Sequence, residues 1–292
     1  MCDATGKGCS CNLSHDSHHH THGERHAPFH RLFSVIHAEY DTQFEDAASV
    51  IPDDADTAAA RDKAKSDPSA ENLLTLAAAL CFQLRYKEAA KVYSEVLAER
   101  PLDYTANRKL ALCMLKTRNF EKARELFALC DSLSPDDLDI IYRQGLCEFY
   151  DGNFQAAENF FLRCYPLARD NGDMYIAVIY WHILTLVRLK KDIEQALSMY
   201  SPDIEIGHHA GYLLTCRLFA GEDTLEHLML STADADEMTR TLLLYGVYHY
   251  FIMQNKRAGA CAALREMLSY KTYWGSFAWI AAYGDGIREK AI

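Results

Sequence analysis

Apolar residues recur at helical spacing along most of the chain, and the first clear run begins at residue 73. Its members stand at i, i+3, i+4 and i+7, which places them on one face of a helix: Leu73, Leu76, Ala77 and Leu80. A short turn at 83–85 follows, and 86–99 shows a second helical face. This face ends before Pro101, because proline cannot continue a helix. The pattern therefore predicts two antiparallel helices joined by a turn.

This helix pair returns twice more, at a period of 34 residues. Five kinds of position keep the period: a small residue, an aromatic, an alanine, a second aromatic and a terminal proline. In the first copy they are Ala77, Tyr86, Ala89, Tyr93 and Pro101. The second copy has Ala111, Phe120, Ala123, Phe127 and Pro135, and the third has Gly145, Phe154, Ala157, Phe161 and, in place of the proline, Arg169. Since each pair buries its apolar face only by stacking on the next, we expect one continuous solenoid.

On these five columns, residues 67–169 resemble three consecutive tetratricopeptide repeats. The resemblance implies an all-α, right-handed superhelical solenoid of antiparallel helix pairs. It also implies a peptide-binding groove on the concave side, lined by the first helix of each repeat. Transferred to this sequence, the groove residues are Phe82, Arg108, Lys109, Leu112, Lys116, Tyr142, Arg143 and Phe149. The family's paired-asparagine grip on a C-terminal carboxylate is not expected, because Thr75 and Lys109 occupy the two asparagine positions.

Four of these groove residues are basic, in a chain whose net charge is -11. Guanidinium groups hydrogen-bond carboxylates bidentately, so a basic groove predicts a carboxylate or an acidic protein segment as the ligand. Ordinary solvated helix charges would give the same sequence, and both interpretations stay open here.

Beyond residue 169 the pattern weakens, and 170–270 predicts three further, divergent helix pairs. Their expected bounds are 173–189 with 192–200, 208–220 with 222–230, and 236–254 with 256–270. The segment 271–292 predicts a helix over about 272–283 that caps the last pair, because a solenoid otherwise exposes a core face. Before the repeats, 28–66 predicts an N-terminal helix over 28–50 and then a linker or solvated helix.

Composition narrows the class of protein. Apolar residues make up 49% and charged residues 24%, which is typical of a soluble globular protein. The chain has 41 acidic and 30 basic residues, and this excess of negative charge argues against nucleic acid as a partner. The start has no apolar leader, and the uncharged run 174–187 is too short to span a bilayer. We therefore expect a cytoplasmic protein with no membrane partner.

Residues 1–27 are a low-complexity arm that we expect to be disordered. It carries candidate ligands for zinc, nickel or copper, which thiolates and imidazoles bind well: Cys9, Cys11, His15, His18, His19, His20 and His22. The spacing matches no zinc finger, so a flexible metal-binding arm, a solubilising tail and a cloning remnant remain alternatives. The cysteines within the helices are expected to pack as small apolar residues.

No catalytic motif occurs along the repeats, and no cofactor is required by the sequence. The leading hypothesis is a non-enzymatic scaffold that binds a peptide or partner protein in the concave groove. The first alternative is a metal-handling accessory protein whose repeats dock a client. The second is an enzyme using His182, His208 or His249, although a hydrogen-bonded role in the core or in the groove is favoured for His182 and His249.

Overall fold

The computed structural model describes residues 52–208, 210–270 and 274–289. All regular secondary structure within these ranges is helical, which confirms the predicted all-α class. The first part comprises α1 (Ala55–Ser66), α2 (Ala70–Phe82), α3 (Tyr86–Glu99), α4 (Tyr104–Lys116), α5 (Phe120–Leu133), α6 (Leu138–Asp151) and α7 (Phe154–Ala168). The second part comprises α8 (Gly172–Leu189), α9 (Glu194–Leu197), α10 (Ala210–Phe219), α11 (Leu225–Ser231), α12 (Glu237–Met253), α13 (Arg257–Ser269) and α14 (Phe277–Arg288). The predicted arm and the predicted helix at 28–50 lie outside the described residues.

The helices pack as consecutive antiparallel pairs, in the order expected of a solenoid. Within the first three pairs, α2 packs on α3, α4 on α5, and α6 on α7. Each second helix also contacts the first helix of the next pair, from α3 on α4 to α7 on α8. We call the surface formed by the first helices α2, α4, α6, α8, α10 and α12 the groove face.

The repeated columns explain the close packing of these pairs. Ala77 and Ala111 are fully buried where the helices approach each other. At the equivalent Gly145, an added Cβ would lie only 2.7 Å from the Phe161 ring, so the third copy has no room for a methyl group. Tyr93, Phe127 and Phe161 are buried beside these small residues, which confirms the structural role predicted for both columns.

Local backbone signals set where the helices begin and turn. The first helices of several pairs begin at a side-chain cap, in which Asp103, Asp137, Asn171 and Asp236 accept hydrogen bonds from backbone N–H groups of the first turn. Each turn between the two helices of a pair contains one residue with a positive φ: Leu84, Arg118, Gly152, Lys190, Gly221 and Asn255. Only two of the six are glycine, so composition alone does not reveal these turns.

The later pairs have shorter second helices than the sequence predicts. The helix expected over 192–200 is reduced to α9, and α11 is also short. Pro202 follows α9 closely and disfavours helical conformation in the residue before it. In contrast, α1 forms within residues 53–66, for which the sequence predicted a linker or a solvated helix. Three of its side chains are buried: Thr57, Ala60 and Ala64.

The uncharged run 174–187 lies in α8, where nearly all of its side chains are buried. In the part of the chain that the structure describes, no helix combines the length and apolar character needed to cross a membrane.

The C-terminal helix α14 packs on α12 and α13 of the last pair, and it also reaches back to α6. Its first six residues, 277–282, are all buried. A helix that is apolar on most sides needs a surrounding groove rather than a flat end face, which explains why it lies along the groove face.

Candidate peptide-binding groove

The structure places the predicted groove residues along α2, α4 and α6, but in very different environments. Phe82, at the end of α2, is 59% exposed. Lys109 and Leu112 in α4 are half-buried. Tyr142 and Phe149 in α6 are buried. The groove face is therefore open at the first repeat and covered at the third.

The cover is the chain's own C-terminal segment, 274–289. Its Trp274 packs edge-on against Tyr86 with ring centroids 5.9 Å apart, and Phe277 packs against Tyr142 at 6.2 Å. The Lys116 ammonium lies 4.4 Å from the centroid of the Phe277 ring and donates to the Gly275 carbonyl. The segment therefore covers the groove face at the second and third pairs, and its Trp274 contacts the second helix of the first pair.

A carboxylate holds the other end of this segment. Asp285 is only 1% exposed and accepts a hydrogen bond from the Tyr245 hydroxyl at 2.7 Å. It also accepts from Arg188 at 3.2 Å, and thereby links α14 to both α8 and α12. Arg288 of the same helix donates to the Tyr150 carbonyl at 3.2 Å and to Asp285 at 2.5 Å. These contacts form a buried ionic latch between the C-terminal helix and the later pairs.

Two of the four predicted basic groove residues share one carboxylate. Arg108 Nη2 lies 2.6 Å from Asp139 Oδ2, and Arg143 Nη2 lies 2.8 Å from Asp139 Oδ1. Burial alone would raise the pKa of Asp139, but Arg143 and Arg108 hold it below its usual value. Their charges are thus balanced within the protein, so these two arginines do not form the open basic patch that the sequence allowed.

The remaining cations on this face lack such a partner. Burial, together with the charge of nearby Arg143, lowers the pKa of Lys116 to about 7. Burial, Arg143 and Arg108 likewise lower the pKa of Lys109. Arg118 at the next turn has its pKa lowered by burial; it donates to the Ile280 carbonyl at 3.4 Å and lies 4.8 Å from the Tyr283 ring centroid. Neither Lys116 nor Arg118 is paired with a carboxylate of the described residues; the C-terminal segment offers them carbonyl oxygens and ring faces, and Arg118 also lies 5.8 Å from the Phe120 ring centroid.

The histidines of the divergent region do not assemble a catalytic site. His182 is buried with Nδ1 2.9 Å from the Tyr165 hydroxyl, and burial lowers its pKa to about 4. His249 is buried with Nδ1 3.0 Å from the Tyr245 carbonyl, and burial lowers its pKa to about 3. These contacts confirm the core role expected for both. His208 is exposed beside Asp173, and a cavity of about 360 Å³ near Tyr248 is lined by none of the three.

The predicted metal ligands from Cys9 to His22 lie outside the described residues, and metal binding by the arm stays a prediction. Among the residues that the structure covers, no group of three or more His, Cys, Asp or Glu side chains is placed to hold a metal ion.

The sequence did not identify three residues that hold the C-terminal segment in place: Arg118, Arg188 and Asp285. A signal was present for Asp285, which is the one acidic residue within the otherwise apolar helix 277–287. A lone charge in such a helix indicates a buried partner, because ionised side chains are rarely buried unpaired. The partner itself, Arg188, is 97 residues away and could not be inferred from the pattern.

Together, the stacked pairs and the covered groove face define a helical-repeat solenoid. The tetratricopeptide repeat family model matches residues 83–141, from the turn after α2 to the start of α6. This part of the chain matches the tetratricopeptide repeat family, in agreement with the resemblance that the 34-residue register indicated.

Solved structures of similar shape include a tetratricopeptide repeat protein from Parabacteroides merdae ATCC 43184, with a TM-score of 0.40 and 13% identity over 88% of this chain and 99% of that one. A structure of Naa15/Naa10 bound to HypK-THB gives a TM-score of 0.37 and 14% identity, over 89% of this chain and 39% of that one. No curated protein matches this chain in sequence.

Proposed function

We propose that the protein is a non-catalytic interaction scaffold whose groove face binds a segment of a partner protein. The observation that carries this proposal is the occupant of that face: helix α14 inserts Phe277 between Tyr142 and the Lys116 ammonium. The face is therefore shaped to receive an aromatic helical segment, and a partner segment would take the place of α14.

The charges of the groove face favour an acidic partner. Lys116 is buried and Arg118 is half-buried, and the described part of the C-terminal segment offers them carbonyl oxygens and ring faces rather than a carboxylate. A carboxylate at either position would form a charge-assisted hydrogen bond, which contributes about 1.5–3 kcal/mol. The partner that fits best is a helical segment with aromatic side chains and carboxylates facing Lys116 and Arg118.

We expect this scaffold to act in the cytoplasm. The described cysteines form no disulfide, which fits a reducing compartment.

The chain's own C-terminal segment provides the probe for the groove. A labelled peptide of residues 271–292 is titrated into the full-length protein and into Asp285→Asn, in which the latch is weakened, and fluorescence anisotropy is measured. We expect clear binding to Asp285→Asn and weaker binding to the wild type, where α14 competes. A peptide carrying Phe277→Ala is the matched control and should bind much more weakly.

The same variant tests for partners. Proteins retained by Asp285→Asn but not by the wild type should be released by excess 271–292 peptide. If the peptide fails to bind the variant, or if retained proteins are unaffected by it, the groove face is not the binding site. Arg108 and Arg143 are unsuitable test positions, because reversing either charge would place a second carboxylate beside Asp139.

A further inference from the structure

Two cysteines meet on the groove face, between the first two helix pairs. Sγ of Cys81, the penultimate residue of α2, lies 3.6 Å from Sγ of Cys113 in α4. Cys113 is fully buried, whereas Cys81 is half-buried. The pair thus consists of one half-buried cysteine and one fully buried cysteine whose sulfurs are in contact.

The surroundings of Cys81 favour its thiolate. The hydrogen bond with Cys113 lowers the pKa of Cys81 against the effect of burial, and the charges of Lys109 and Lys116 lower it further. The Tyr93 hydroxyl also contributes a hydrogen bond to this sulfur. Low pKa and partial exposure are the two properties that make a protein thiol reactive toward oxidants.

Other buried cysteines of the helices have the opposite character. Burial raises the pKa of Cys130 to about 11, and it also raises the pKa values of Cys147, Cys164 and Cys216. A buried thiol with a raised pKa is inert. Cys261 is half-buried like Cys81 but contacts no other cysteine among the described residues, which makes it the matched comparison.

We propose that Cys81 and Cys113 form a reversible thiol–disulfide site, at which hydrogen peroxide oxidises the two thiols. The Cys81 thiolate attacks one peroxide oxygen, the O–O bond breaks, and the departing hydroxide takes up a proton and becomes water. Cys81 is then a sulfenic acid. The Cys113 sulfur attacks the sulfenyl sulfur, the S–S bond forms, the S–O bond breaks, and hydroxide leaves with the Cys113 proton as a second water. The two thiols lose two electrons and one peroxide becomes two waters.

The geometry requires little movement for this bond. A disulfide has an S–S length of about 2.05 Å, so the two sulfurs must approach by about 1.5 Å. The product would join α2 to α4 and fix the spacing of the first two groove helices, beside the exposed Phe82. Oxidation at this site would therefore act on the open end of the groove face.

Peptide mapping of the oxidised full-length chain tests the site. The reduced protein is treated with hydrogen peroxide, remaining thiols are blocked with a maleimide, and the protein is digested with trypsin. Cleavage after Lys65, Arg85, Lys109 and Lys116 places Cys81 in peptide 66–85 and Cys113 in peptide 110–116. We expect these two peptides to appear as one species, lighter than their sum by two hydrogens, and to separate after treatment with dithiothreitol.

Three variants decide the roles of the two sulfurs. In Cys113→Ser the linked species should be lost and dimedone should trap a sulfenic acid on Cys81. In Cys81→Ser, dimedone should leave Cys113 unlabelled, because that sulfur is buried. Cys130→Ser removes a buried thiol elsewhere and should leave the link intact. The proposal is overturned if peroxide carries Cys81 directly to sulfinic acid, if Cys81 instead links to the cysteines of residues 1–11, or if Cys81 and Cys261 react with maleimide at equal rates. None of these outcomes depends on whether the groove face binds a partner.

Discussion

The latch at Asp285 allows a quantitative test of the covered groove. In Asp285→Asn the side-chain volume is retained and one oxygen can still accept from Tyr245, but Arg188 loses its carboxylate. Removing one partner of a buried ion pair costs about 3–5 kcal/mol, because the other charge stays buried without compensation. We expect this cost to fall mainly on the docking of α14, since Asp285 lies in that helix. The opening equilibrium of α14 should then rise between about a hundredfold and a few thousandfold.

Hydrogen exchange of the intact protein measures this opening. Amide protection should fall in α14 and at the groove residues beneath it, near Lys116, and should stay close to the wild-type value in α13. Asp131→Asn is the matched control: it removes a half-buried carboxylate 3.4 Å from the exposed Arg163, and ion pairs at the surface contribute about 0.2–1 kcal/mol. The double variant Arg188→Met with Asp285→Asn should recover part of the protection, because it removes the stranded charge. Equal losses in Asp285→Asn and the control, or a uniform loss over all helices, would refute the latch.

Three further predictions follow from individual sites. Because the folded protein binds the Lys116 proton only below about pH 7 and the unfolded chain binds it up to about 10.5, the free energy of unfolding should rise with pH across this window. Lys116→Met should remove this dependence on pH and stabilise the protein at pH 7 by roughly 5 kcal/mol at most. Urea unfolding at several pH values measures the free energy of unfolding. If its dependence on pH is unchanged in the variant, Lys116 is not the cause. An added Cβ at Gly211 would lie 2.5 Å from the Thr239 carbonyl oxygen, so Gly211→Ala should destabilise by about 1–3 kcal/mol. At Gly284 the atoms nearest to an added Cβ are 3.6 Å away, so Gly284→Ala should instead stabilise α14 by up to about 1 kcal/mol. Urea unfolding midpoints compare the two alanine variants. A Gly284→Ala protein less stable than Gly211→Ala would contradict the packing described for the two glycines. For the arm, zinc or nickel titrated into the full chain should bind more tightly than into a chain lacking residues 1–30, and equal, weak binding by both would rule out a metal-binding arm.

The repeats could be predicted from sequence because their determinants are local. Ala77, Ala111 and Gly145 recur at a fixed step, and each acts on a helix only a few residues further along the chain. The first helices were likewise recognisable from their apolar spacing. The turn at 83–85 was also predicted, but the positive φ of Leu84 and of Arg118 was not, because their side chains do not favour that conformation.

The candidate site was predicted only in part, because its environment depends on distant contacts. The sequence placed Lys116 and Arg143 on the first helices, but it could not show that Asp139 lies between Arg108 and Arg143. Nor could it show that Gly275, 159 residues from Lys116, supplies the carbonyl that Lys116 contacts. A pattern of charges identifies which side chains are present on a face, whereas the neutralisation of each charge is decided by what packs against it.

A tethered occupant sets a threshold that any partner of the groove must exceed. A short connection holds α14 at an effective concentration on the order of millimolar, so a free segment at micromolar concentration must bind about a thousandfold more tightly to displace it. That ratio corresponds to about 4 kcal/mol. Two carboxylates on Lys116 and Arg118, at about 1.5–3 kcal/mol each, are sufficient to reach it. On the proposed function, the poorly matched cations beneath α14 thus decide specificity: an aromatic segment without carboxylates would fit the groove and still fail to displace the helix that the chain already carries.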